Sequence, residues 1–401
     1  MNKLIKLIIF LRERILLYRI LKWCIFAKKN RLNLSIFING IKLLSVNPKL
    51  NRNISNEQNF SYFRGYHLLN EADLISLPIC WKDVYGIFMR LEHILDNNIE
   101  VSQDYLNLIY CLASCFIEHR GKFTNNHYLM NLLILERFSE CNNQKKYFKL
   151  SDVEVAYNYV FKENFFLERS SHYLFIISLR LNKVQNNEFR SIFNEDLLKY
   201  YKSIIPYYSC ITWLGDICPD KIQLNQLKRN PENSLIYLNF GSFIFFKTPS
   251  SVLKISLNDS ILRHGHEDYG SIVLYNDIFQ LVDLGIDDLS NKKYKLKNLH
   301  SQYELGKFIK VEKENKQFKI NFSNCLIIFS SIGISFEWNK NNIPKKIKMF
   351  YIGSLKQIKM DVKSLYSTEL ADKVVLSSFN KSELSSVVVE QPKYMSIKNE
   401  K

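Results

Sequence analysis

The chain has 401 residues, and its hydrophobic content of 47% and charged content of 23% are those of a globular protein. This length is too great for one ordinary hydrophobic core and predicts two domains. The formal net charge of +16 implies a polyanionic partner, which could be an acidic polysaccharide, a nucleic acid or an anionic membrane face. The eight cysteines are scattered without a C-x-x-C pair, so they indicate neither a zinc ribbon nor a dense disulfide framework.

Residues 1–29 form a basic and apolar N-terminal segment. Charged residues interrupt it every few positions: Lys3, Lys6, Arg12, Glu13, Arg14, Arg19 and Lys22. No stretch approaches the roughly 18 uncharged apolar residues of a membrane-spanning helix, and no A-x-A-like cleavage site of a signal peptide follows. Two interpretations stay open. The segment is an amphipathic helix that touches a membrane surface or an anionic partner, or it is a surface helix packed on its own domain.

The first half of the chain has helical periodicity. Apolar residues recur at three- and four-residue steps over Tyr105 to Ile117 and over His127 to Phe138. The residues from Ser151 to Glu154 have capping-box form and predict the start of a third helix.

Two polar motifs lie in this helical half. The first contains Asn126, His127 and Asn131, where an amide and an imidazole near the positive end of a helix could receive a carboxylate. Locally the same pattern also fits an Asn N-cap with an incidental histidine. The second motif, E-R-S-S-H-Y, runs from Glu168 to Tyr173, and without further support its tyrosine is a half-buried helix residue.

From Pro206 onward the periodicity changes to two. Strands are predicted over Leu235 to Phe246 with a break at Gly241, over Phe308 to Val311 and Phe318 to Phe322 with a turn at Asn315, and over four further runs: Gly270 to Tyr275, Leu326 to Phe329, Lys346 to Ile352 and Val374 to Ser377. The tail after Pro392 is expected to fray. Helices followed by strands predict an α-helical domain over residues 1–205 and a β domain over residues 206–401.

The stretch R-H-G-H-E-D, from Arg263 to Asp268, holds two of only eight histidines. His264 and His266 are two residues apart and share a face on an extended backbone, and Asp268 continues that row. Seventeen residues after His266 comes Asp283, and seventeen more lead to His300. His266, Asp283 and His300 on adjacent strands would suit zinc, with Asp268 as an alternative ligand. The alternative is a buried polar pair with surface residues around it.

Together these motifs resemble the heparinase II/III family of polysaccharide lyases. That family carries N-H-x-x-x-N and E-x-S-x-x-Y-H in its helical domain, a Gly-Asp step between domains (here W-L-G-D, Trp213 to Asp216), and in its β domain a His-x-His-x-Asp, an Asp-x-Gly and a later His. The resemblance implies a multidomain α+β protein, with an N-terminal incomplete (α/α) toroid followed by a C-terminal antiparallel β-sandwich, and it covers about residues 100 to 305.

The chain departs from the family pattern at three points. Leu174 stands where the family usually has His, and Ser301-Gln302 follows His300 where the family commonly has Asn-Thr. The helical domain is also shorter than the family's. These departures indicate altered substrate specificity or lost activity.

The resemblance implies β-elimination of a uronate-containing polysaccharide at a cleft between the domains. Tyr173 and His264 are the expected proton-transfer residues, with Asn126 and His127 neutralising the substrate carboxylate. The expected substrate-binding residues are Asn131, Glu168 and Arg263. Zinc held by His266, Asp283 and His300 would be structural support and not the Lewis acid.

The sequence therefore predicts a lyase of an acidic polysaccharide, such as a glycosaminoglycan or alginate. The rival prediction is a binding or assembly protein that holds an envelope or capsular polysaccharide without cleaving it. Nucleic-acid binding ranks last because the chain has no basic motif of a recognised type. The resemblance implies the periplasm or the cell envelope, although the N-terminus lacks a convincing export signal.

Overall fold

The computed structural model describes residues 84–100, 103, 106, 110, 113, 126–142, 146, 148–207, 213–215, 234–259, 265, 268–276, 280–283, 303–352, 365–369, 384–390 and 394–398. The N-terminal segment 1–29 and the predicted strand over Val374 to Ser377 lie outside these residues. Within the described ranges, no helix combines the length and the hydropathy needed to cross a membrane. The described chain is an α+β structure whose sheets are antiparallel.

The helices in chain order are α1 (Val84–Asn97), α2 (Asn126–Asn142), α3 (Leu150–Val160), α4 (Ser171–Lys183), α5 (Asn187–Arg190) and α6 (Asp196–Ile204), which runs into a 3₁₀ turn (Ile205–Tyr207). The strands are β1 (Phe161–Lys162), β2 (Phe165–Phe166), β3 (Ile236–Asn239), β4 (Phe243–Lys247), β5 (Ser251–Ser256), β6 (Ile272–Asn276), β7 (Gln280–Val282), β8 (Phe308–Glu314), β9 (Gln317–Phe322), β10 (Cys325–Ser330), β11 (Gly333–Trp338), β12 (Lys346–Ile352), β13 (Leu365–Glu369), β14 (Leu384–Glu390) and β15 (Tyr394–Lys398).

The chain divides into two compact units. Unit 1 contains the described residues up to Tyr159 together with Lys183–Ile192. Unit 2 contains Val160–Asn182, Phe193–Cys218 and the described residues from Leu224 onward. Most of α4 and all of α6 therefore group with the strands. The predicted division of the sequence at residue 205 stays a prediction.

Unit 1 is helical, and α2 confirms the helix predicted over His127 to Phe138. Twelve of its 17 residues are buried, which is expected of a helix that is apolar on most of its circumference. The described residues of the predicted helix over Tyr105 to Ile117 (106, 110 and 113) are helical as well. Tyr110 stacks on Phe138 of α2, with ring centroids 4.8 Å apart.

Ion pairs on the rim of unit 1 connect segments that are distant in sequence. Asp96 at the end of α1 accepts from Arg137 of α2 at 2.5 Å and from Lys183 at 2.7 Å. Glu140 of α2 accepts from the backbone N–H groups of Gln185 and Asn186, the residues that lead into α5. These charge-assisted hydrogen bonds fix the Lys183–Ile192 segment on α2.

The third predicted helix is confirmed as α3, but the capping prediction is wrong in detail. The helix begins at Leu150, so Ser151 already lies in its first turn. The carboxylate that reaches back is Asp152, whose Oδ2 accepts from the backbone N–H of Lys149 at 2.9 Å. Asp152 is thus the N3 residue of the cap, three residues after Lys149. Its negative charge also interacts favourably with the positive end of the helix dipole.

Unit 2 contains two antiparallel sheets in addition to the short β1–β2 hairpin. The described strands of the larger sheet lie in the order β13-β14-β12-β7-β6-β5-β4-β3, and those of the smaller sheet in the order β15-β11-β10-β9-β8. The predicted strands at Leu326–Phe329 and Lys346–Ile352 are confirmed as β10 and β12. The predicted break at Gly241 separates β3 from β4, which pair as a hairpin, and the turn predicted at Asn315 is confirmed between β8 and β9. Asn315 has a φ of +35°, as suits a tight turn.

One apolar cluster joins the two sheets. Alternate residues of the larger sheet, such as Ile244, Leu253 and Leu274, meet alternate residues of the smaller sheet, such as Phe318 and Ile327. Strands with one buried face predict this period of two, and the burial pattern of β9 and β10 follows it. The other face of the larger sheet packs on the helical part of unit 2, where the Tyr200 ring of α6 lies against three phenylalanines: Phe240, Phe243 and Phe245.

The prediction that the tail after Pro392 frays is wrong. Residues 394–398 form β15, which pairs with β11 in antiparallel register. Met395 and Ile397 are fully buried in the cluster between the sheets, and the burial of their apolar surface stabilises the strand. The Asn- and Lys-rich composition of the tail concealed this alternation of apolar residues.

Candidate functional site

The segment Glu168–Tyr173 leads from β2 into α4, and most of it is buried. Glu168, His172 and Tyr173 are each about 95% or more buried, and Tyr173 lies in the first turn of α4 with 3% of its surface exposed. Ser170 caps the helix, since its Oγ accepts from the backbone N–H of Tyr173 at 3.2 Å. Arg169 has a φ of +59°, the left-handed region that residues other than glycine rarely adopt.

The W-L-G segment pairs with the start of α4. The Ser171 N–H donates to the Leu214 carbonyl, and the Leu214 N–H donates to Ser171 Oγ, both at 2.9 Å. Gly215 follows with a φ of +77°, which turns the chain away. The Trp213 ring lies against the His172 imidazole with centroids 4.6 Å apart. These contacts bring two of the sequence motifs, E-R-S-S-H-Y and W-L-G-D, into direct contact within unit 2.

A buried lysine lies beneath this junction. Lys254 of β5 has no exposed surface; its Nζ is 4.2 Å from the centroid of the Trp213 ring and 3.5 Å from Ser171 Oγ. Burial lowers the pKa of Lys254 well below its ordinary value, and the charge of Asp283 partly offsets that effect. The Trp213 ring and the charge of Asp283 favour the protonated form of Lys254, whereas burial favours the neutral form.

Of the predicted zinc ligands His266, Asp283 and His300, Asp283 lies among the described residues, as does Asp268, the alternative ligand. Asp283 is fully buried at the end of β7, and its carboxylate accepts a hydrogen bond from the Ser271 hydroxyl. Burial, and then the charge of Asp283, raise the pKa of Tyr303 far above its ordinary value. A carboxylate oriented by a hydroxyl fits a zinc ligand, whereas a protonated Lys254 would oppose a dication at the same place.

His266 and His300, the other two predicted ligands, lie outside the described residues. So do two candidate site residues, Arg263 and His264. Within the described part of the chain, no group of three or more His, Cys, Asp and Glu side chains could hold a metal ion. The predicted zinc site therefore stays a prediction.

Gly265, which separates His264 from His266 in sequence, is described, and it contacts the segment before α4. A Cβ added at Gly265 would lie 2.5 Å from Nδ2 of Asn258 and 3.0 Å from Cβ of Arg169. At such distances a larger residue at position 265 would have to displace the Asn258 amide, and glycine avoids that displacement. The R-H-G-H-E-D stretch is thus the third motif that reaches the same place in unit 2.

Asn258 links the two sides of that contact. Its Oδ1 accepts from Arg169 Nη1 at 2.8 Å, and its Nδ2 donates to Asp268 Oδ1 at 3.4 Å. Asp268 Oδ1 also accepts from the Ser256 hydroxyl at 2.7 Å. Asn258 and Asp268 are 2% and 3% exposed, so this network lies in the interior, where the hydrogen bonds are strong.

The other candidate residues belong to unit 1. Asn126 and Asn131 on α2 are 2% and 6% exposed, and His127 between them is half-buried. Among the described residues, Nδ2 of Asn126 and Oδ1 of Asn131 find no hydrogen-bond partner. Buried amide atoms without partners are rare in folded proteins. Beside them, burial and then Asp152 raise the pKa of Tyr128 to about 12.

The structure therefore brings three of the predicted motifs together and adds residues that sequence reasoning missed. Lys254 and Asn258 carried no signal, because a lysine in an alternating strand is normally on the solvent side and an asparagine after a strand normally marks a turn. Arg169 lay inside a recognised motif, but its left-handed backbone is visible only in the structure.

Comparisons with known proteins find similarity only among solved structures, and at low sequence identity. No protein-family model matches the sequence, and no curated protein is significantly similar to it. Among solved structures, the heparan sulfate lyase HepC from Pedobacter heparinus aligns with 85% of this chain and 76% of its own, at 12% identity and a TM-score of 0.39. A mutant of that enzyme aligns with 90% of this chain and 82% of its own, at 10% identity and a TM-score of 0.39. A heparinase III (the BT4657 gene product) aligns with 83% of this chain and 70% of its own, at 10% identity and a TM-score of 0.38.

Proposed function

We propose that the protein cleaves an acidic, uronate-containing polysaccharide by β-elimination. The single observation that carries this proposal is the meeting of motifs in unit 2, where Gly265 of H-G-H lies against Arg169, four residues before Tyr173. The net charge of +16 supports a polyanionic substrate. We further propose that the helical part is an incomplete (α/α) toroid and that the two sheets form a β-sandwich.

The reaction needs one proton removed and one delivered. A base takes the proton from C5 of the uronate, the electron pair forms the C4=C5 double bond, the C4–O bond breaks, and an acid protonates the departing oxygen. In the proposal Tyr173 and His264 carry out these two transfers. A positioned proton-transfer group of this kind contributes about 10² to 10⁴ in rate.

The substrate carboxylate must be neutralised as negative charge develops at C5. Asn126 and His127 are proposed for this role, and the buried Asn126 Nδ2, which has no partner among the described residues, supports it. The start of α2 contributes the positive end of a helix dipole. Asn131, Glu168 and Arg263 are proposed to bind substrate.

Zinc is proposed as structural support, with His266, Asp283 and His300 as the residues that would hold it. The metal would stabilise the β strands and would take no part in the proton transfers. We also propose that the N-terminal segment contacts a membrane surface and that the protein works in the periplasm or cell envelope.

A second candidate function is non-catalytic binding of the same class of polymer. The observation that favours it is the burial of Tyr173, of which 3% is exposed, because a catalytic phenol has to reach the sugar. The replacement of the family's His by Leu174 and its Asn-Thr by Ser301-Gln302 favours the same alternative.

The test is the ultraviolet absorbance of the new C4=C5 double bond, measured with a panel of glycosaminoglycans, alginate and bacterial capsules. Tyr173→Phe is expected to lower the rate by about 10² to 10⁴, whereas Tyr159→Phe, at a 37% exposed tyrosine, is the matched control and should leave it unchanged. An equal rate in wild type and Tyr173→Phe would overturn the role of Tyr173. Binding without absorbance from any polymer would favour the non-catalytic function.

A further inference from the structure

We propose that Arg169, Asn258 and Asp268 form a polar latch that holds the connection between β5 and β6 on the segment before α4. Arg169 is then a positioning residue: it fixes the stretch that carries His264 relative to the helix turn that carries Tyr173. The structural part of this proposal stands on contacts within unit 2, and its catalytic part rests on the proposed function.

The latch is a directed chain of hydrogen bonds. The Arg169 guanidinium donates to the Asn258 carbonyl oxygen, and the Asn258 amide donates onward to the Asp268 carboxylate. Because the two ends of an amide differ, this pair of partners sets one orientation of the Asn258 side chain. A cation at one end and a carboxylate at the other polarise both hydrogen bonds in the same sense.

The two ends of the latch belong to segments far apart in sequence. Arg169 precedes α4, and Asp268 closes the β5–β6 connection, where its carbonyl accepts from the Ser271 N–H and its carboxylate accepts from Ser256. Asn258 lies two residues after the end of β5, and its own N–H donates to Ser256 Oγ. The connection is therefore fixed to its own hairpin at one end of the latch and to the segment before α4 at the other.

Two backbone features show that the contact demands a specific geometry. Gly265 approaches Asn258 and Arg169 so closely that an added Cβ would be 2.5 Å from Asn258 Nδ2. Arg169 adopts a φ of +59° where its side chain meets Asn258. Uncommon backbone conformations of this kind persist where the surroundings impose them, often beside functional sites.

The first experiment measures amide hydrogen exchange of the peptide that covers residues 265–271 in the full-length protein. Arg169→Ala is expected to raise its exchange rate about 10-fold or more, because a charge-assisted hydrogen bond to a buried group is lost. Arg169→Lys, which keeps the charge but donates less directionally, should give a smaller increase. Arg190→Ala in unit 1 is the matched arginine control and should leave this peptide unchanged. No change in Arg169→Ala would overturn the latch.

A charge swap tests the coupling between positions 258 and 268. Asn258→Asp alone keeps an acceptor for Arg169 but places a carboxylate beside that of Asp268, and the peptide should exchange faster. Adding Asp268→Asn restores an amide donor between the two positions, now from residue 268 to residue 258. Exchange in the double variant should return towards the wild-type rate. Exchange in the double variant as fast as in Asn258→Asp alone would contradict the contact between positions 258 and 268.

The positioning role of Arg169 is tested by enzyme kinetics, whereas the latch itself is tested by amide hydrogen exchange. If the protein is a lyase, Arg169→Ala should lower kcat about 10²-fold with little change in KM, as displacement of a catalytic group by about 1 Å does. A rise in KM with unchanged kcat would overturn positioning and would indicate that Arg169 binds substrate. If the wild-type protein cleaves no polymer, the proposed function fails, while the exchange experiments still decide whether the latch exists.

Discussion

The two faces of β5 have opposite characters although both are buried. Leu253 and Ile255 enter the apolar cluster shared with the smaller sheet. Lys254 and Ser256, which alternate with them, face the helical part of unit 2 and contact Ser171 and Asp268. One face therefore contributes non-directional burial of apolar surface, whereas the other contributes directional contacts between named polar groups.

This difference indicates that the residues of β5 that stabilise the core lie on one face of the strand and those near the candidate site lie on the other. The apolar face tolerates substitution by other hydrophobic residues at a cost in stability, and its side chains have no reactive groups. The polar face contacts three of the motifs found in the sequence, and each of its groups depends on a particular partner. Substitutions on the two faces should therefore have different effects on stability.

A large truncation on the apolar face should reduce stability without a selective effect on the polar face. Phe246 is fully buried and contacts Phe318 and Phe329. Phe246→Ala is expected to lower the free energy of unfolding by about 4 kcal/mol, within the usual range for such cavities. Ile309→Ala, at a 58% exposed side chain, is the control, with an expected change below about 0.5 kcal/mol. Denaturant unfolding measures both, and similar losses in the two variants would contradict the assigned core.

Removing the cation from the polar face should also be costly. Lys254→Met deletes the ammonium under Trp213 and leaves the buried Asp283 without that charge. We expect a loss of about 3 kcal/mol, because the buried Asp283 loses a nearby group of opposite charge. Combining Lys254→Met with Asp283→Asn should recover part of the loss. Additive losses in the double variant would show that the two charges do not interact.

The smallest effect should come from Tyr200, whose hydroxyl donates to the Ser171 carbonyl at 3.0 Å. Tyr200→Phe should cost about 1 kcal/mol at neutral pH, the usual value of one hydrogen bond. Burial raises the pKa of Tyr200 well above its ordinary value. Above about pH 10 the unfolded state therefore loses a proton that the folded state keeps, so stability falls as the pH rises.

The pH dependence supplies the check on that prediction. The free energy of unfolding of Tyr200→Phe should decline less steeply above pH 10 than that of the wild type. Parallel declines in the two proteins would contradict the burial of this hydroxyl in the folded state.

Local patterns were sufficient to predict much of the fold. The β8–β9 hairpin follows from clean alternation around Asn315, and α2 follows from apolar residues at three- and four-residue steps. β15 was missed because five residues with two buried side chains are a weak signal beside an Asn- and Lys-rich composition. The start of α3 was misplaced because Ser151 and Asp152 both fit a cap, and the sequence alone does not distinguish them.

The site was predictable only where a motif marked it. Tyr173 and Gly265 lay in recognised stretches, and their segments do meet through Arg169. Lys254 and Asn258 were not predictable, because their burial depends on the helical segment that covers β5 and on Trp213, which is distant in sequence. Tertiary contacts of this kind cannot be predicted from the local periodicity of the sequence.

The proposed β-elimination is tested most directly by the mass of the products that form when a uronate polymer is incubated with the purified protein. Elimination leaves one product end that is lighter by one water than the corresponding hydrolysis product. β-Elimination predicts this unsaturated end in the wild-type reaction, and the proposed role of Tyr173 predicts its loss in Tyr173→Phe. Products that carry the added water, or the same unsaturated products from Tyr173→Phe at an undiminished rate, would contradict it.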